Sequence, residues 1–265
     1  MVMNDFKAKY GKYAVLFGGS DGLGKQTAKK LADRGLSVVC IGRNKDKMAR
    51  FEKEFKSTYS TDFIPVIADL SEENAALDIF DTTDRLDVGF VSYIACLHKF
   101  GKVQDIAWED YKRMLNVNIN NFTQAMKHYM RIFVEQGHGG ILNYSSLTAV
   151  TSSPYNVEYG AGKAYMKSFT QAMAYEGEKE NVDVMVATLG ATTTPTELKN
   201  QPGGEMGSQI QAMAMTPEET VDEIFEHFGK THSYYVGKHP QEQVRKWKTE
   251  MTEDEVAEYM GKFYE

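Results

Sequence analysis

A short apolar run, Tyr13–Phe17, leads directly into Gly18-Gly19-Ser20-Asp21-Gly22-Leu23-Gly24, and the residues beyond place Leu23, Ala28, Leu31 and Ala32 at helical spacing before Gly35. Strand, glycine turn and helix in this order make a βα unit, and parallel strands need helices over both faces of their sheet. The chain supplies more units of the same kind. Residues 37–41, 63–68, 88–95, 140–144 and 182–188 read as further strands. Helical patterns near 46–56, 71–85, 108–136 and 155–179 separate them. The expected architecture is α/β, a doubly wound, mostly parallel sheet of the Rossmann type, with ligands in the crevice at the strand carboxyl ends. No repeat, low-complexity tract or linker divides residues 1–265, so one domain is expected.

Composition narrows the function. Hydrophobic residues make up 42% of the 265, ample for a buried core, and the formal charge of −7 lacks the basic surplus that nucleic-acid binding requires. Residues 1–12 lack the apolar centre of a secretory signal, and no run approaches the ~20 apolar residues of a membrane span. A cytoplasmic protein with neither nucleic-acid nor membrane partner is expected. Cys40 and Cys96, the two cysteines, lie in apolar strand-like stretches and read as buried, reduced thiols. The six histidines show no His-x-x-x-His pair, so metal-free chemistry is expected.

Two segments depart from the alternation. Residues 192–215 are rich in Thr, Gly, Gln and Met and are broken by Pro195, Pro202 and Gly203-Gly204. They read as a mobile loop over the cleft, where Met206, Met213 and Met215 either adapt to a substrate or fill the core. In the tail, about 240–265, Thr252-x-x-Glu255 has the form of a capping box, and Val256, Tyr259, Met260 and Phe263 follow on one helical face. That face closes the cleft of its own subunit or packs on a neighbour.

Glycines 18, 22 and 24 at a strand-to-helix turn let backbone approach a pyrophosphate, with Ser20, Asp21 and Leu23 in the same turn and a helix amino end behind it. At the end of the second strand an acidic residue would hold a ribose diol and repel a 2′-phosphate. Gly42-Arg43-Asn44 stands there instead, which favours NADP(H) over NAD(H) unless Arg43 is an ordinary solvated charge. Asp69, ending the third strand, borders the adenine or caps the next helix.

The reaction is suggested by a tyrosine and a lysine. A phenol, pKa about 10 when unperturbed, exchanges protons with an alcohol or carbonyl only when a nearby positive charge brings it toward neutrality. Three Tyr-x-x-x-Lys matches occur, at Tyr159/Lys163, Tyr175/Lys179 and Tyr234/Lys238. Thirteen residues before each tyrosine stand Ser146, Gly162 and Val221 respectively, so only the first has a hydroxyl partner. With Asn118 upstream, the candidate catalytic set is Asn118, Ser146, Tyr159 and Lys163.

Gly-x-x-x-Gly-x-Gly, Asp69-Leu70, Asn118, Ser146, Tyr159-x-x-x-Lys163 and Gly190-x-x-x-Thr194 together resemble the short-chain dehydrogenase/reductase family, in its classical branch, over residues 10–240. The resemblance implies a catalytic tetrad of those four polar residues, with Asn118 positioning a water that leads protons to Lys163, which also binds the nicotinamide ribose. It adds Leu70, Ala95, Tyr159, Lys163, Thr192 and Thr194 to the cofactor contacts, and a homodimer or homotetramer. Three positions depart from the family pattern: Tyr93-Ile94-Ala95-Cys96 after the fourth strand, Phe17 before the glycine turn, and Leu189. The stretches 92–98, 128–133 and 159–164 and the ending from Trp247 are similar to gut-bacterial NADP-dependent 7β-hydroxysteroid dehydrogenases. The substrate implied is a bile acid or other steroid. A different steroid position such as C12, another bulky alcohol, or a non-catalytic NADPH-binding regulator stand as alternatives.

Overall fold

The fold grows outward from Tyr13–Phe17 (β1), whose last four residues are buried. It pairs in parallel with Ser37–Gly42 (β2) on one side and Val88–Tyr93 (β4) on the other. Phe63–Ile67 (β3) extends the sheet beyond β2, while Gly139–Ser146 (β5), Val182–Leu189 (β6) and Ser233–Val236 (β7) extend it beyond β4. The order is β3-β2-β1-β4-β5-β6-β7, and each neighbouring pair is parallel. This is a computed structural model, and it describes residues 3–151, 153–195 and 211–262.

Helices cover both faces, as an all-parallel sheet requires. Met3–Tyr10 (α1), Gly22–Ala32 (α2), Lys45–Thr58 (α3) and Pro217–His227 (α8) bury Phe6, Leu31, Phe55 and Ile224 in one core. Ala75–Thr83 (α4), Asn121–Gln136 (α6) and Val157–Glu178 (α7) bury Ile79, Phe122 and Met166 in the other. Trp108–Leu115 (α5) runs into α6 through a π-helical turn, Asn116–Asn120, so the long helix expected over 108–136 is interrupted where Asn118 sits. Lys238–Glu250 (α9) and Glu253–Gly261 (α10) follow β7.

Three of these elements were not expected. The alternation of charge in residues 1–12 hides α1, whose Phe6 and Tyr10 rings, 4.5 Å apart, are nonetheless buried against the sheet. β7 has only four residues and was too short to register as a strand. α8 carries a complete capping box, Thr216 with Glu219, and Pro217 in its first turn.

β1 and β4 are neighbours although β2 and β3 intervene in sequence, so the switch point of the sheet lies between their carboxyl ends. There Phe17 and Tyr93 occupy paired positions and their rings stack, with centroids 5.2 Å apart. Tyr93 also donates its hydroxyl to the Val117 carbonyl at 2.6 Å. Two of the departures noted above are therefore one packing solution, in which a stacked pair fills the strand ends and ties β4 to the π-helical turn.

Candidate active site

A cavity of about 430 Å³ opens at that switch point. Gly18 begins its floor: the backbone turns at φ +96, and a Cβ there would lie 2.7 Å from the Ala95 nitrogen. The Gly18 and Gly19 amides both donate to the Ile41 carbonyl, at 3.0 and 3.1 Å, which seats the turn on β2. Asp21 caps α2 by accepting from the Gly22 amide at 2.9 Å, and its other oxygen is paired with Lys47 of α3. Leu23 and Gly24 line the cavity, and N–H groups in a first helical turn have no intrahelical partner. A glycine cradle with backbone donors fits a pyrophosphate.

At the far side of the turn, Lys163 is 5% exposed and its Nζ donates to the Tyr144 carbonyl at 2.6 Å. The same Nζ lies 5.7 Å from the centre of the Tyr159 ring. Burial pushes the Lys163 ammonium below the ordinary lysine value, while the negative charges available to Cys96 and Glu158 oppose that shift. Ser146 ends β5, and its Oγ accepts from the Thr148 amide at 3.3 Å at the start of the 3-10 turn Leu147–Val150. Ser146, Tyr159 and Lys163 all line the cavity, as do Gly18, Ser20, Asp21, Gly22, Leu23, Gly24, Ala95, Thr192 and Thr194.

The other two Tyr-x-x-x-Lys matches are surface features. Lys179 lies over the ring of Tyr175, which is 64% exposed, and Lys238 has a side chain 89% exposed.

The remaining candidates stand outside the cavity lining. Arg43 projects from the end of β2 with its Nη1 4.0 Å from Asp69 Oδ1, and its side chain is 56% exposed. Asn44 caps α3, accepting from the Lys47 amide at 2.9 Å. Asp69 accepts from the Ser71 amide at 3.0 Å, a local bond just after β3. Leu70 is buried in the core with Ala76 and Ile79, so its side chain is packing and only its backbone could approach a ligand.

Asn118 is buried behind the cavity, and its carboxamide is engaged on both sides. Its Oδ1 accepts from the Leu97 amide at 3.0 Å, and its Nδ2 donates to the Leu97 carbonyl at 2.7 Å and to Glu158. It fastens the loop after β4 to α7.

Cys96 corrects an expectation. It lies in the loop after β4, beyond the last residue of the strand, and is exposed, whereas Cys40 is buried as expected. The sequence also gave no reason to single out His98, whose ring lies 5.3 Å from that of Tyr159. Burial, followed by the Lys163 charge, lowers the His98 pKa, so the imidazole is neutral at neutral pH.

Apolar side chains contribute much of the rest of the lining. Leu147, Met213, Met215, Trp247, Tyr259 and Met260 are among these residues. Within the chain, Trp247, Val256 and Met260 are buried together against Leu147 and Val150, and Trp247, Tyr259 and Met260 line the cavity. Phe263 lies outside the described residues, as do Met206 and most of the 192–215 segment, whose ends are joined by a parallel bridge between Thr192 and Met215.

Residues 12–203 match the model of the short chain dehydrogenase family. The chain belongs to that family. Members of this family use a nicotinamide dinucleotide, NAD(H) or NADP(H), and the cavity has the cradle such a group needs. Among curated relatives, a 7β-hydroxysteroid dehydrogenase of Mediterraneibacter gnavus is 46% identical over 98% of each chain. One of Collinsella aerofaciens is 45% identical over 98% of this chain and 99% of its own. A solved structure from a study of 7β-hydroxysteroid dehydrogenase stereoselectivity superposes with a TM-score of 0.92 at 45% identity, over 96% of this chain and 98% of that one. A short-chain dehydrogenase of Sphingobium yanoikuyae in complex with NADPH shares the fold at a TM-score of 0.75 and 19% identity, over 85% of this chain and 87% of its own. Among the described residues no helix is long and apolar enough to cross a membrane, and no group of three or more His, Cys, Asp or Glu could hold a metal ion.

Proposed function

We propose that this dehydrogenase interconverts the 7β-hydroxyl and 7-oxo groups of bile acids with NADP(H), through Ser146, Tyr159 and Lys163. One observation carries the reading: a single cavity is lined by the glycine turn, by this trio and by an apolar wall that includes Leu147, Trp247 and Met260. A steroid nucleus needs such a wall. Similarity over nearly the full length, at 45–46% identity, to 7β-hydroxysteroid dehydrogenases supports the position on the ring.

When bound, the nicotinamide group supplies hydride in reduction and takes it up in oxidation. The protein handles the proton. In reduction the Tyr159 hydroxyl gives its proton to the substrate oxygen as negative charge develops there, and the Ser146 hydroxyl donates a hydrogen bond to the same oxygen. In oxidation the phenolate takes that proton back. The Lys163 ammonium favours the phenolate, and its tie to the Tyr144 carbonyl aims it along α7 toward the tyrosine. Asn118 holds Leu97 and α7 together, and in this reading it also positions the water that leads protons to Lys163.

NADP(H) rather than NAD(H) is supported by the charge around the end of β2. Arg43 is exposed there, and Lys47 neutralises the one carboxylate in the glycine turn. Arg43→Ala is expected to weaken NADPH binding about tenfold or more and to leave NADH binding unchanged, since a charge-assisted hydrogen bond contributes ~1.5–3 kcal/mol. Calorimetric titration of both dinucleotides reads this, and equal losses for the two would remove Arg43 from the choice. A homodimer or homotetramer is part of the same proposal, measured by light scattering.

The substrate is tested with a panel of oxo-bile acids and NADPH, with product position and configuration resolved by chromatography. The expected product is the 7β-alcohol of 7-oxo substrates. Reduction of 12-oxo but no 7-oxo acid would transfer the assignment to C12.

A further inference from the structure

Asparagine is favoured at a helix start because its side chain can accept from the first free amides. Asn156 stands at the start of α7, and its side chain makes no such bond. It is 3% exposed, its Oδ1 has no hydrogen-bond partner among the described residues, and it lines the cavity. Thr148 repeats the pattern. It is 7% exposed, it lines the same cavity, and its Oγ1 likewise has no partner among the described residues. Thr148 follows Ser146 by two residues and Asn156 precedes Tyr159 by three, so the chain itself keeps each near one member of the reacting pair.

The backbone holds both residues in place. The Thr148 amide donates to Ser146 Oγ at 3.3 Å. The Asn156 amide donates to the Ser153 carbonyl and its carbonyl accepts from the Gly160 amide, both at 3.1 Å. Just before Asn156, Tyr155 takes φ +59, a left-handed conformation that a bulky residue adopts at a cost. Its carbonyl accepts from the Gly101 amide at 2.8 Å, which ties this turn to the loop after β4.

A buried polar atom without a partner is destabilising, and two in the lining of one cavity need a reason. Their chemistry states what would satisfy them. A carboxamide presents an acceptor and donors, and a threonine hydroxyl both donates and accepts. A carboxylate or an oxo group has no proton to give Asn156 Oδ1. A carboxylate also calls for a cation, and the one lysine or arginine among the lining residues, Lys163, is bound to the Tyr144 carbonyl. An alcohol donates as well as accepts, so it matches. A rigid fused-ring skeleton carries each further hydroxyl at a fixed displacement from the reacting carbon, and a fixed polar point in an otherwise apolar wall can therefore select the register of the whole skeleton.

We propose that Asn156, together with Thr148, forms a polar subsite for a second ring hydroxyl of the steroid and so fixes which carbon faces Tyr159. The proposal rests on the steroid dehydrogenase function given above. A site built to hydrogen-bond a substrate hydroxyl rejects the analogue that lacks it, because its own polar groups are then left buried and unmatched.

The test compares kcat/KM for NADPH-dependent reduction of 7-oxo bile acids carrying a hydroxyl at C3 or at C12 with that of counterparts bearing hydrogen there. Wild type, Asn156→Leu and Thr148→Val are measured side by side. At one of the two positions wild type is expected to favour the hydroxyl about tenfold or more; Asn156→Leu is expected to bring that ratio to within about twofold, and Thr148→Val to lower it about threefold. Wild type indifferent to both hydroxyls would mean that the wall holds water only, and would overturn the subsite. A preference that persists in Asn156→Leu would overturn it too, as would a variant slowed by one factor on every substrate, the mark of a packing role. Each of these leaves 7-oxo reduction intact, whereas no turnover of any steroid by wild type would remove the function itself and the subsite with it. Should Asn156→Leu not fold, Asn156→Gly, a substitution tolerated at helix starts, reads the same ratio.

Discussion

Replacing Tyr159 with phenylalanine is expected to lower turnover about 10²–10⁴-fold while leaving fold and dinucleotide binding in place. The substitution removes one oxygen and keeps the ring that faces His98 at 5.3 Å. Lys163 retains its bond to the Tyr144 carbonyl, because that contact does not involve the phenol. What disappears is the proton donor and acceptor for the substrate oxygen, which neither Ser146 nor the neutral His98 can replace. Ser146 holds a proton far too weakly acidic to release at neutral pH, and His98 is depressed by burial and by Lys163. Steady-state kinetics alongside NADPH titration and thermal unfolding separate the outcomes. Full activity in the variant would eliminate Tyr159 from the mechanism, and a matching loss of dinucleotide affinity would make its role one of binding.

The second large effect is expected at Gly24, through stability. A Cβ at this position would overlap the Gly18 carbonyl oxygen and come within 2.9 Å of Gly19 Cα. Both are backbone atoms of the turn, and the turn is itself bonded to the Ile41 carbonyl, so neither side can give way cheaply. α2 must lift from β1, which disturbs the core around Ala28 and Leu31 and misplaces the backbone donors of the cradle. Gly24→Ala should cost about 3 kcal/mol or more, the upper part of the range for overpacking. In a domain of this size that lowers the melting temperature by about 6–12 °C, together with a loss of dinucleotide affinity. An unchanged melting temperature and affinity would show that the helix does not rest on the turn as described.

Most of the framework was legible because it is written in short-range patterns. Tyr13–Phe17, the glycine turn and α2 are contiguous, and their apolar spacing reflects one strand and one helix face. The trio of Ser146, Tyr159 and Lys163 was legible from spacing, since a serine ending β5 and a tyrosine beginning α7 face the same crevice whenever the two elements are neighbours. Short or weakly patterned elements were harder: the four residues of β7 and the charged surface of α1 hold their places through contacts with β6 and with Tyr10's partner Asp183. Cys96 misled because the apolar character of Val88–Tyr93 continues past the end of the strand into a loop. Leu70 was grouped with its neighbour Asp69, but Asp69 lies 4.0 Å from the guanidinium groups of Arg43 and Arg113 whereas Leu70 packs into the core.

The amino-acid sequence alone determined the alternation of strand and helix, the βα turn suited to a pyrophosphate, and which of three tyrosine–lysine pairs has a serine partner. All of these depend on residues close in the chain or on one repeated period. Tertiary structure alone decided that Phe17 stacks on Tyr93, that Trp247 and Met260 meet Leu147 at the cavity wall, and that Glu158 meets Asn118 across a separation of 40 residues. Such contacts arise only when distant segments are brought together by burial, which is non-directional and leaves no periodic trace of its partners in the sequence.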